Sequence, residues 1–327
     1  MVSGSRVVHD RGMDAPQLIS RQQALAAGIS DSELRRRCLD GSWWRVRAGR
    51  YVNAPEPGLT PAGRHLVLAL ATCEAMPEDA VASHCSAVVL HGVPCWSIPL
   101  DRVHLTRNRI NGGRVTNQLV VHSAQLTPDE ITIVNGLQVT TAPRTVVDIA
   151  RSASFEQAVV IGDNALHQGL TTADELQECL SRARHRRGAR RAAHTIDFLD
   201  GRSGSIGESR SRVAFREGGL PAPELQARVF TDDDVCVGRV GFLFPELGVI
   251  GEFGGKMPCQ SALRTPGQGV IAEKNRADRL RALGWMVVRW TWQDLTDPAH
   301  LARRIRAAGR AAAYGRRAGH WTPTPRT

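Results

Sequence analysis

The stretch that decides the fold of the second half of this 327-residue chain is Gly-Arg-Val-Gly-Phe-Leu-Phe-Pro-Glu-Leu-Gly-Val-Ile-Gly-Glu-Phe-Gly-Gly-Lys, residues 238–256. Two apolar runs flank Pro245 and a glycine-containing turn, which predicts two adjacent strands. The second strand ends at Glu252, and Lys256 follows four residues later. A carboxylate and a cation at the end of a core strand are typical of a metal-dependent enzyme site.

The elements around this strand pair predict a domain over residues 205–310. A helix over 208–217 ends at a Gly-Gly pair, and strands over 225–230 and 235–244 flank an acidic turn. A third strand, a helix over 271–283, a strand over 285–290 and a helix after Pro298 follow. The order α-β-β-β-α-β-α predicts a mixed sheet covered by helices. Residues 311–327 are interpreted as a basic, disordered tail.

The first compact unit is predicted over residues 14–56. Ser20-Arg-Gln-Gln23 and Ser30-Asp-Ser-Glu33 are two capping boxes, so each opens a short helix, the second with Leu34 and Leu39 on its apolar face. Two β-strand patterns follow, around an Arg-Ala-Gly turn. Two helices joined by a short turn and followed by a β-hairpin is the pattern of a winged helix-turn-helix.

Arginines concentrate on the second helix and the hairpin of this unit. Six of them are predicted to contact double-stranded DNA: Arg35, Arg36, Arg37, Arg45, Arg47 and Arg50. Arginine suits bidentate contact with guanine or phosphate. A helix turns about 100° per residue, so one or two of the three consecutive arginines would face a groove. The alternative is a small α/β unit with an exposed basic face.

Residues 60–183 are predicted to form a mainly helical α/β region, and residues 184–204 a basic hinge and linker, with a basic helix within 182–200. Predicted helices cover 61–75, 79–90, 143–151, 155–168 and 172–183, with strands over 102–106 and 119–122. His84 and His91 could share one helix face, but no carboxylate lies near them in sequence. Core or capping roles are the preferred interpretation, with a metal site as the alternative. The chain as a whole is predicted to be α+β, or mixed α/β.

The net charge of +10 is concentrated in two segments. Residues 182–191 carry six arginines and residues 301–327 carry seven, without an acid in either, so the rest of the chain is net acidic. Such segments attract phosphate backbones without sequence preference; a solvated helix face and tail is the alternative. Seven cysteines without a C-x-x-C pair predict a reducing compartment, no disulfides and no zinc site. The chain has no apolar run long enough to span a membrane and no signal-peptide pattern, which predicts a cytoplasmic protein.

The N-terminal unit, residues 83–92 and residues 143–151 together resemble antitoxins of the AbiEi type. In that family a winged helix-turn-helix precedes a larger region, and the protein represses its own operon. The resemblance covers roughly the first 180 residues. It implies operator DNA as one partner and a nucleotidyltransferase-like toxin as another.

Residues 205–290 resemble the very-short-patch-repair-type branch of the restriction-endonuclease-like fold, also called PD-(D/E)xK. Glu208-Ser-Arg-Ser-Arg and Glu252-Phe-Gly-Gly-Lys256 match two of its elements, and 273–276 with 284–289 match the helix and strand that follow. The resemblance implies catalytic roles for Glu208, Glu252 and Lys256, with both glutamates as magnesium ligands. Two acidic positions of the family are glycines here, Gly241 and Gly254.

The resulting expectation is a DNA-binding regulator of the antitoxin type with a degenerate nuclease-like domain and no cofactor. Loss of the strand aspartate at position 241 removes the ligand that bridges metal and phosphate, which favours an inactive domain. The alternative is a magnesium-dependent endonuclease targeted by its winged helix. The sequence does not predict the oligomeric state or the operator.

Overall fold

The chain divides into two compact units in the computed structural model, which describes residues 18–53, 59–77, 79–109, 112–255, 268–313, 315 and 317–325, with side chains undescribed over 268–274. One unit comprises the described residues of Met1–Gly92 and Ile98–Thr145; the other comprises those of Val93–Ser97 and Val146–Thr327. This division differs from the predicted one, which grouped residues 146–183 with the central region. The mixed α/β class is confirmed.

The first unit begins with a small helical and β-hairpin module. Its elements are β1 (Leu18–Ser20), α1 (Arg21–Ala26), α2 (Asp31–Leu39), β2 (Trp44–Arg47) and β3 (Arg50–Val52). The strands form an antiparallel sheet in the order β1-β3-β2. The hairpin was predicted, whereas β1 was not. Ala24, Leu34, Trp43 and Tyr51 form the buried core of this module.

Serine caps begin both helices of the module. The Ser20 hydroxyl accepts the Gln23 N–H at 3.1 Å and the Gln23 side chain accepts the Ser20 N–H at 2.7 Å, which confirms the first capping box. Ser30 caps α2, but Glu33 binds arginines instead of completing the second box. Leu39 is 82% exposed, so its predicted place on the apolar face is wrong. Leu39 is five positions after Leu34 in the helix, so the two side chains point about 140° apart around the helix axis.

The remainder of the first unit is built on a six-stranded sheet. Its elements are α3 (Pro61–Cys73), β4 (Ala80–Ala82), α4 (His84–Leu90), β5 (Val103–Arg107), β6 (Arg114–Val115), β7 (Leu119–Ser123), β8 (Ile131–Val134) and β9 (Leu137–Thr140). The strand order is β6-β7-β5-β4-β9-β8. Over the whole span 60–183 the observed elements contain more helical than strand residues, as predicted, but the predicted helix over 79–90 is wrong at residues 80–82, which form β4. Strand β4 is buried throughout, so it lacks the polar alternation that distinguishes a strand from a helix.

Helix α5 (Ala142–Ser152) follows β9 and crosses the division between the units. The second unit contains α6 (Phe155–His167), α7 (Ala173–Arg182), α8 (Ala189–Ile196), α9 (Ile206–Glu217), α10 (Gln268–Ala282) and α11 (Pro298–Ala312). Its strands are β10 (Glu224–Leu225), β11 (Arg228–Phe230), β12 (Cys236–Arg239), β13 (Phe242–Phe244), β14 (Val249–Phe253), β15 (Met286–Trp290) and β16 (His320–Thr322).

A four-stranded sheet in the order β10-β13-β14-β15 forms the centre of the second unit, with only the β14–β15 pair parallel. Side chains of β13 alternate between its two faces. Phe242 and Phe244 pack edge-on against Phe215 of α9, whereas Leu243 shares a core with Leu280 of α10. Helices therefore cover both faces of the sheet, which explains why β13 is apolar throughout.

Two segments differ from their sequence predictions. Residues 320–322 form β16, which pairs with β11, so the prediction of a disordered tail is wrong there. The basic helix expected within residues 182–200 is present as α8, but the linker after it is held by an ion pair between the side chains of Asp200 and Arg202 at 2.7 Å, with both side chains less than a tenth exposed. Gly207 lies where a Cβ would collide with the Phe253 ring, so this glycine allows close helix packing instead of chain flexibility.

A buried ion pair joins α6 to α9. The Asp163 side chain is fully buried and accepts hydrogen bonds from Arg212 Nη1 at 2.5 Å and from the Asp200 N–H at 2.7 Å. Burial raises the pKa of Asp163 to about 6, and the neighbouring Arg212 opposes that rise. The Arg212 guanidinium also lies 4.4 Å from the centre of the Phe198 ring.

Asp163→Ala is expected to lower the free energy of unfolding by about 3–5 kcal/mol, because it leaves a mostly buried guanidinium without its carboxylate. Urea unfolding followed by circular dichroism measures the loss. Asp174→Ala, at an exposed position in the first turn of α7, is the control and should cost less than about 1 kcal/mol. Equal losses in the two variants would contradict a dominant role for the buried pair.

Candidate functional site

The six arginines predicted to contact DNA fall into two groups in the N-terminal module. Arg35, Arg36 and Arg45 are exposed. Arg36 is also paired with Glu33, at 2.7 Å. Arg37 binds the same carboxylate at 2.7 Å and lies over the Trp43 ring at 5.3 Å, and Arg50 binds Glu74 at 2.9 Å. Arg47 is half-buried on β2. Arg35 and Arg45 are therefore available to a partner and Arg36 would have to exchange or share its Glu33 contact, whereas Arg37 and Arg50 stabilise the module itself.

Several arginines of the two basic segments also contact the protein itself. Arg182 binds Glu178 at 2.5 Å, and Arg304 binds Asp294. Arg306 donates to the Gly218 and Gly219 carbonyls at 3.0 and 2.8 Å, which caps the C-terminal end of α9. These arginines stabilise the fold, a role that neither the phosphate-binding prediction nor its solvated alternative included.

A cleft of about 370 Å³ opens at one end of the four-stranded sheet. Glu208, Gly241, Glu252 and Gly254 all line it, so the structure brings together four positions that the nuclease resemblance singled out. Gln226, Arg239, Phe242, Phe253, Arg276 and Arg289 complete the lining. Three arginines against two glutamates make this cleft suited to an anion such as phosphate.

Both carboxylate oxygens of Glu252 are bound by arginines. Oε2 accepts from Arg289 Nε at 2.8 Å, and Oε1 accepts from Arg276. The Glu252 side chain is 13% exposed. Arg289 is held opposite Glu252 because β14 and β15 pair in parallel with these two residues in register. Glu252 therefore neutralises two cations in this structure.

Glu208 lies in the first turn of α9, beside the cleft. Its backbone N–H is capped by the Ser205 hydroxyl at 3.2 Å, and its own Oε2 accepts from the Gly204 N–H at 2.8 Å and from Gln226 Nε2 at 3.3 Å. Burial raises the pKa of Glu208, and these donors and nearby cations oppose the rise. The carboxylate thus closes the loop before α9 as well as facing the cleft.

Gly241 and Gly254, which stand where the resembled nuclease family has acidic residues, both have room for a side chain. Phe242 pairs with Gly251, so continuing the antiparallel register by one residue puts Gly241 opposite Glu252. A Cβ at Gly241 would lie 3.7 Å from the Gly251 carbonyl oxygen, and one at Gly254 would lie 3.5 Å from the Trp290 carbonyl oxygen. Both are ordinary contact distances, so packing does not require glycine at either position.

The described residues of this cleft do not fit a magnesium ion. Magnesium requires oxygen ligands in near-octahedral geometry, and it usually takes one or two carboxylates that are free to bind it. Here Glu252 is bound by two guanidinium groups, Glu208 binds a backbone N–H, and position 241 supplies no carboxylate. Lys256, the third predicted catalytic residue, lies outside the described residues.

Sequence reasoning did not identify Gln226, Arg239, Arg276 and Arg289 as residues of the cleft. For Arg289 a signal was present, since parallel pairing of the strands after 248 and 285 could place it beside Glu252. Gln226 has no such signal. Its backbone φ of +55° and its N–H bond to the Gly241 carbonyl at 3.0 Å depend on the fold around it.

Comparison with known proteins places the chain in a family. It is 30% identical over 194 residues to Uncharacterized protein Rv2248 and to Uncharacterized protein MT2308, both of Mycobacterium tuberculosis, an alignment that covers 59% of this chain and 68% of each relative. The chain therefore belongs to the same family as these two proteins. No protein-family model matches it. The crystal structure of RV2827C protein from Mycobacterium tuberculosis is a distant match, with a TM-score of 0.37 and 17% identity over 56% of this chain and 72% of that one.

No described helix is long and apolar enough to cross a bilayer.

The double variant Gly241→Asp/Gly254→Asp is expected to bind Mn²⁺ at least about tenfold more tightly than the natural chain, because it adds two carboxylates beside Glu252 where side chains fit. Calorimetric titration with Mn²⁺ measures the difference. The matched control is Gly241→Asn/Gly254→Asn, which adds the same bulk without charge. Binding by the natural chain as tight as by the aspartate variant would contradict the view that these glycines remove a metal site.

Proposed function

We propose that this protein is a DNA-binding transcriptional regulator of the AbiEi antitoxin type, whose nuclease-like domain contributes anion or DNA contacts without cleavage. The observation that carries the proposal is the arrangement of the N-terminal module. Two capped helices joined by a tight turn precede an antiparallel hairpin, and α2 and β2 expose Arg35, Arg36 and Arg45. A winged helix-turn-helix presents its second helix and its hairpin to DNA in this way.

The partners of the remaining arginines support this assignment of roles. Arg37 fixes α2 to Trp43, and Arg50 fixes the hairpin to Glu74 just after α3. These contacts leave the outer side of the module to Arg35, Arg45 and Arg36, of which Arg36 also pairs with Glu33. Exposed guanidinium groups can bind phosphate oxygens or guanine edges. A neighbouring nucleotidyltransferase-like toxin gene would agree with the antitoxin role.

The cleft supports the non-catalytic part of the proposal. Hydrolysis of a phosphodiester by a metal-dependent nuclease requires carboxylates that hold the ion against the scissile phosphate. In the cleft the arginines satisfy Glu252 and no carboxylate stands at 241 or 254. What remains is a pocket with excess positive charge, which can bind a phosphate group but has no means of activating water through a metal.

The variant Arg35→Ala/Arg36→Ala/Arg45→Ala is expected to lose at least about tenfold in affinity for DNA from upstream of its own gene, and to lose preference for that sequence. Each lost phosphate contact should also lower the salt dependence of log K by about one unit. Mobility-shift titrations at several salt concentrations, against a scrambled duplex, measure both quantities.

The matched control removes three exposed arginines of the second unit, Arg279, Arg303 and Arg310. It has the same net charge as the first variant, so it should weaken binding to both duplexes about equally and keep the sequence preference. The proposal fails if the two triple variants have the same sequence preference as the natural chain.

A second candidate function, a magnesium-dependent endonuclease, is favoured by one observation. Glu208 and Glu252 come from different elements yet line the same cleft, as the two acids of a nuclease core do. Binding of a phosphate by the cleft arginines could release Glu252 for a metal ion.

Incubation of supercoiled plasmid with the natural chain and Mg²⁺ or Mn²⁺ is expected to leave the plasmid intact, because the described cleft offers no free carboxylate set. Gel electrophoresis after extended incubation checks this. Nicking that disappears in both Glu208→Gln and Glu252→Gln would establish the endonuclease and overturn the non-catalytic reading of the domain.

A further inference from the structure

Three histidines from different elements converge in the first unit. His84 begins α4, His104 lies on β5 and His122 lies on β7. One ring nitrogen from each lies within 4.8 Å of the other two. His84 is 8% exposed and the other two are half-buried. The set contains imidazoles alone, with no carboxylate.

The sheet register explains how two of these side chains meet. Strands β5 and β7 pair in parallel, with His104 opposite Val120 and Thr106 opposite His122. Because side chains alternate along a strand, His104 and His122 project from the same face of the sheet. His104 Nδ1 and His122 Nε2 lie 3.1 Å apart.

The third histidine reaches this face through an unusual backbone conformation. His84 has φ +50°, in the left-handed region that non-glycine residues seldom occupy. Its Nδ1 is hydrogen-bonded to the Ser83 hydroxyl at 3.1 Å, and that hydroxyl also accepts from Thr106 Oγ1 at 2.8 Å. Backbone strain of this kind persists only where the surrounding structure enforces it, and it is concentrated at functional sites. Here it brings a third imidazole to the pair.

We propose that His84, His104 and His122 form a binding site for a single late-transition divalent cation, with Zn²⁺ as the best-fitting ion and a fourth coordination position open to water or another ligand. A site of neutral imidazoles without carboxylates binds Zn²⁺, Co²⁺, Ni²⁺ or Cu²⁺ in preference to Mg²⁺ or Ca²⁺. Three histidines with an open position form one of the known patterns of protein zinc sites.

The distances agree with this ligand set after one adjustment. Nitrogens on a tetrahedral zinc ion with bonds of about 2.0–2.1 Å lie roughly 3.3 Å apart. The His104–His122 separation of 3.1 Å is close to that value. His84 is stacked on His122, with ring centres 3.7 Å apart and planes inclined by 16°, so their lone pairs lie in nearly parallel planes and do not converge on one ion. Ligation therefore requires the His84 ring to rotate out of the stack.

The hydrogen bond to Ser83 supports His84 as a ligand. A metal-bound histidine generally uses its second ring nitrogen for a hydrogen bond that orients the ring and fixes its tautomer. His84 Nδ1 makes a bond of this kind to Ser83, which would assign Nε2 as the ligating atom if the ring keeps that bond as it rotates out of the stack, and Thr106 in turn orients the Ser83 hydroxyl. His91, the residue that follows α4, has a different role, since its Nε2 donates to the Thr140 carbonyl at 2.8 Å.

The test uses the full chain without a histidine tag, stripped with a chelator and titrated with Zn²⁺ by calorimetry and with Co²⁺ by visible absorption. We expect one ion per chain and the d–d absorption of four-coordinate Co²⁺, with no competition from excess Mg²⁺. Zn²⁺ should also raise the melting temperature, because it binds the folded chain preferentially.

His84→Asn is the decisive variant, since asparagine tolerates the left-handed backbone but cannot replace the imidazole nitrogen. It should weaken Zn²⁺ binding at least about tenfold, because loss of even a residue that only orients a ligand typically costs about 10–100-fold in metal affinity. His91→Gln, the matched control, keeps a donor for the Thr140 carbonyl and should bind as the natural chain does. His104→Gln/His122→Gln should abolish the Co²⁺ absorption.

Circular dichroism of the metal-free variants separates misfolding from ligand loss, and His84→Asn alone decides the matter if the double variant does not fold. The proposal is overturned if His84→Asn binds Zn²⁺ as tightly as the natural chain. It is equally overturned if the natural chain binds no ion at micromolar concentration, because the cluster would then be a hydrogen-bonded histidine stack without a metal.

Discussion

Burial of Trp290 is the constraint on which the candidate cleft depends. Its indole is 1% exposed, lies edge-on to Phe215 with ring centres 5.3 Å apart, and donates to the Ser211 hydroxyl at 2.8 Å. A Cβ on Gly251 would collide with this indole, so β14 packs against it through a glycine. Because β14 and β15 pair in register from this point, Glu252 and Arg289 emerge side by side at the cleft.

This placement changes how the cleft's charges act. A glutamate on a core strand looks like a metal ligand when it is considered alone, but two guanidinium groups bind it here. Charge-assisted hydrogen bonds of this kind are stronger than neutral ones, so a cation must compete with two arginines for Glu252. The same pairing leaves Arg239 exposed at the rim, and the cleft as a whole favours an anion.

The elements controlled by short-range interactions could be predicted, and those controlled by pairing partners could not. Helix α1 begins at Ser20 as its capping box requires, and the hairpin of β2 and β3 turns at Gly49, whose φ is +72°. Strands β4 and β16 were not predicted because each has only three residues and forms by pairing with distant strands. Strand β4 pairs with β5 and β9, and β16 pairs with β11. In the cleft, Glu208 and Glu252 were predictable from a family pattern. Gln226 lines the cleft because of its backbone conformation, and Arg289 because of the register between β14 and β15.

By itself the sequence determined the position of the caps, the arginine-rich second helix and hairpin, and the absence of a carboxylate at Gly241 and Gly254. These are properties of single residues or of neighbours within one turn. Only the tertiary structure decided that Glu252 binds two arginines, that Arg37 and Arg50 serve the module's own packing, and that three histidines separated by 18 to 38 positions meet on one face of a sheet. The physical reason is that strand register and core packing bring distant residues together, and neither is encoded in any local stretch of the chain.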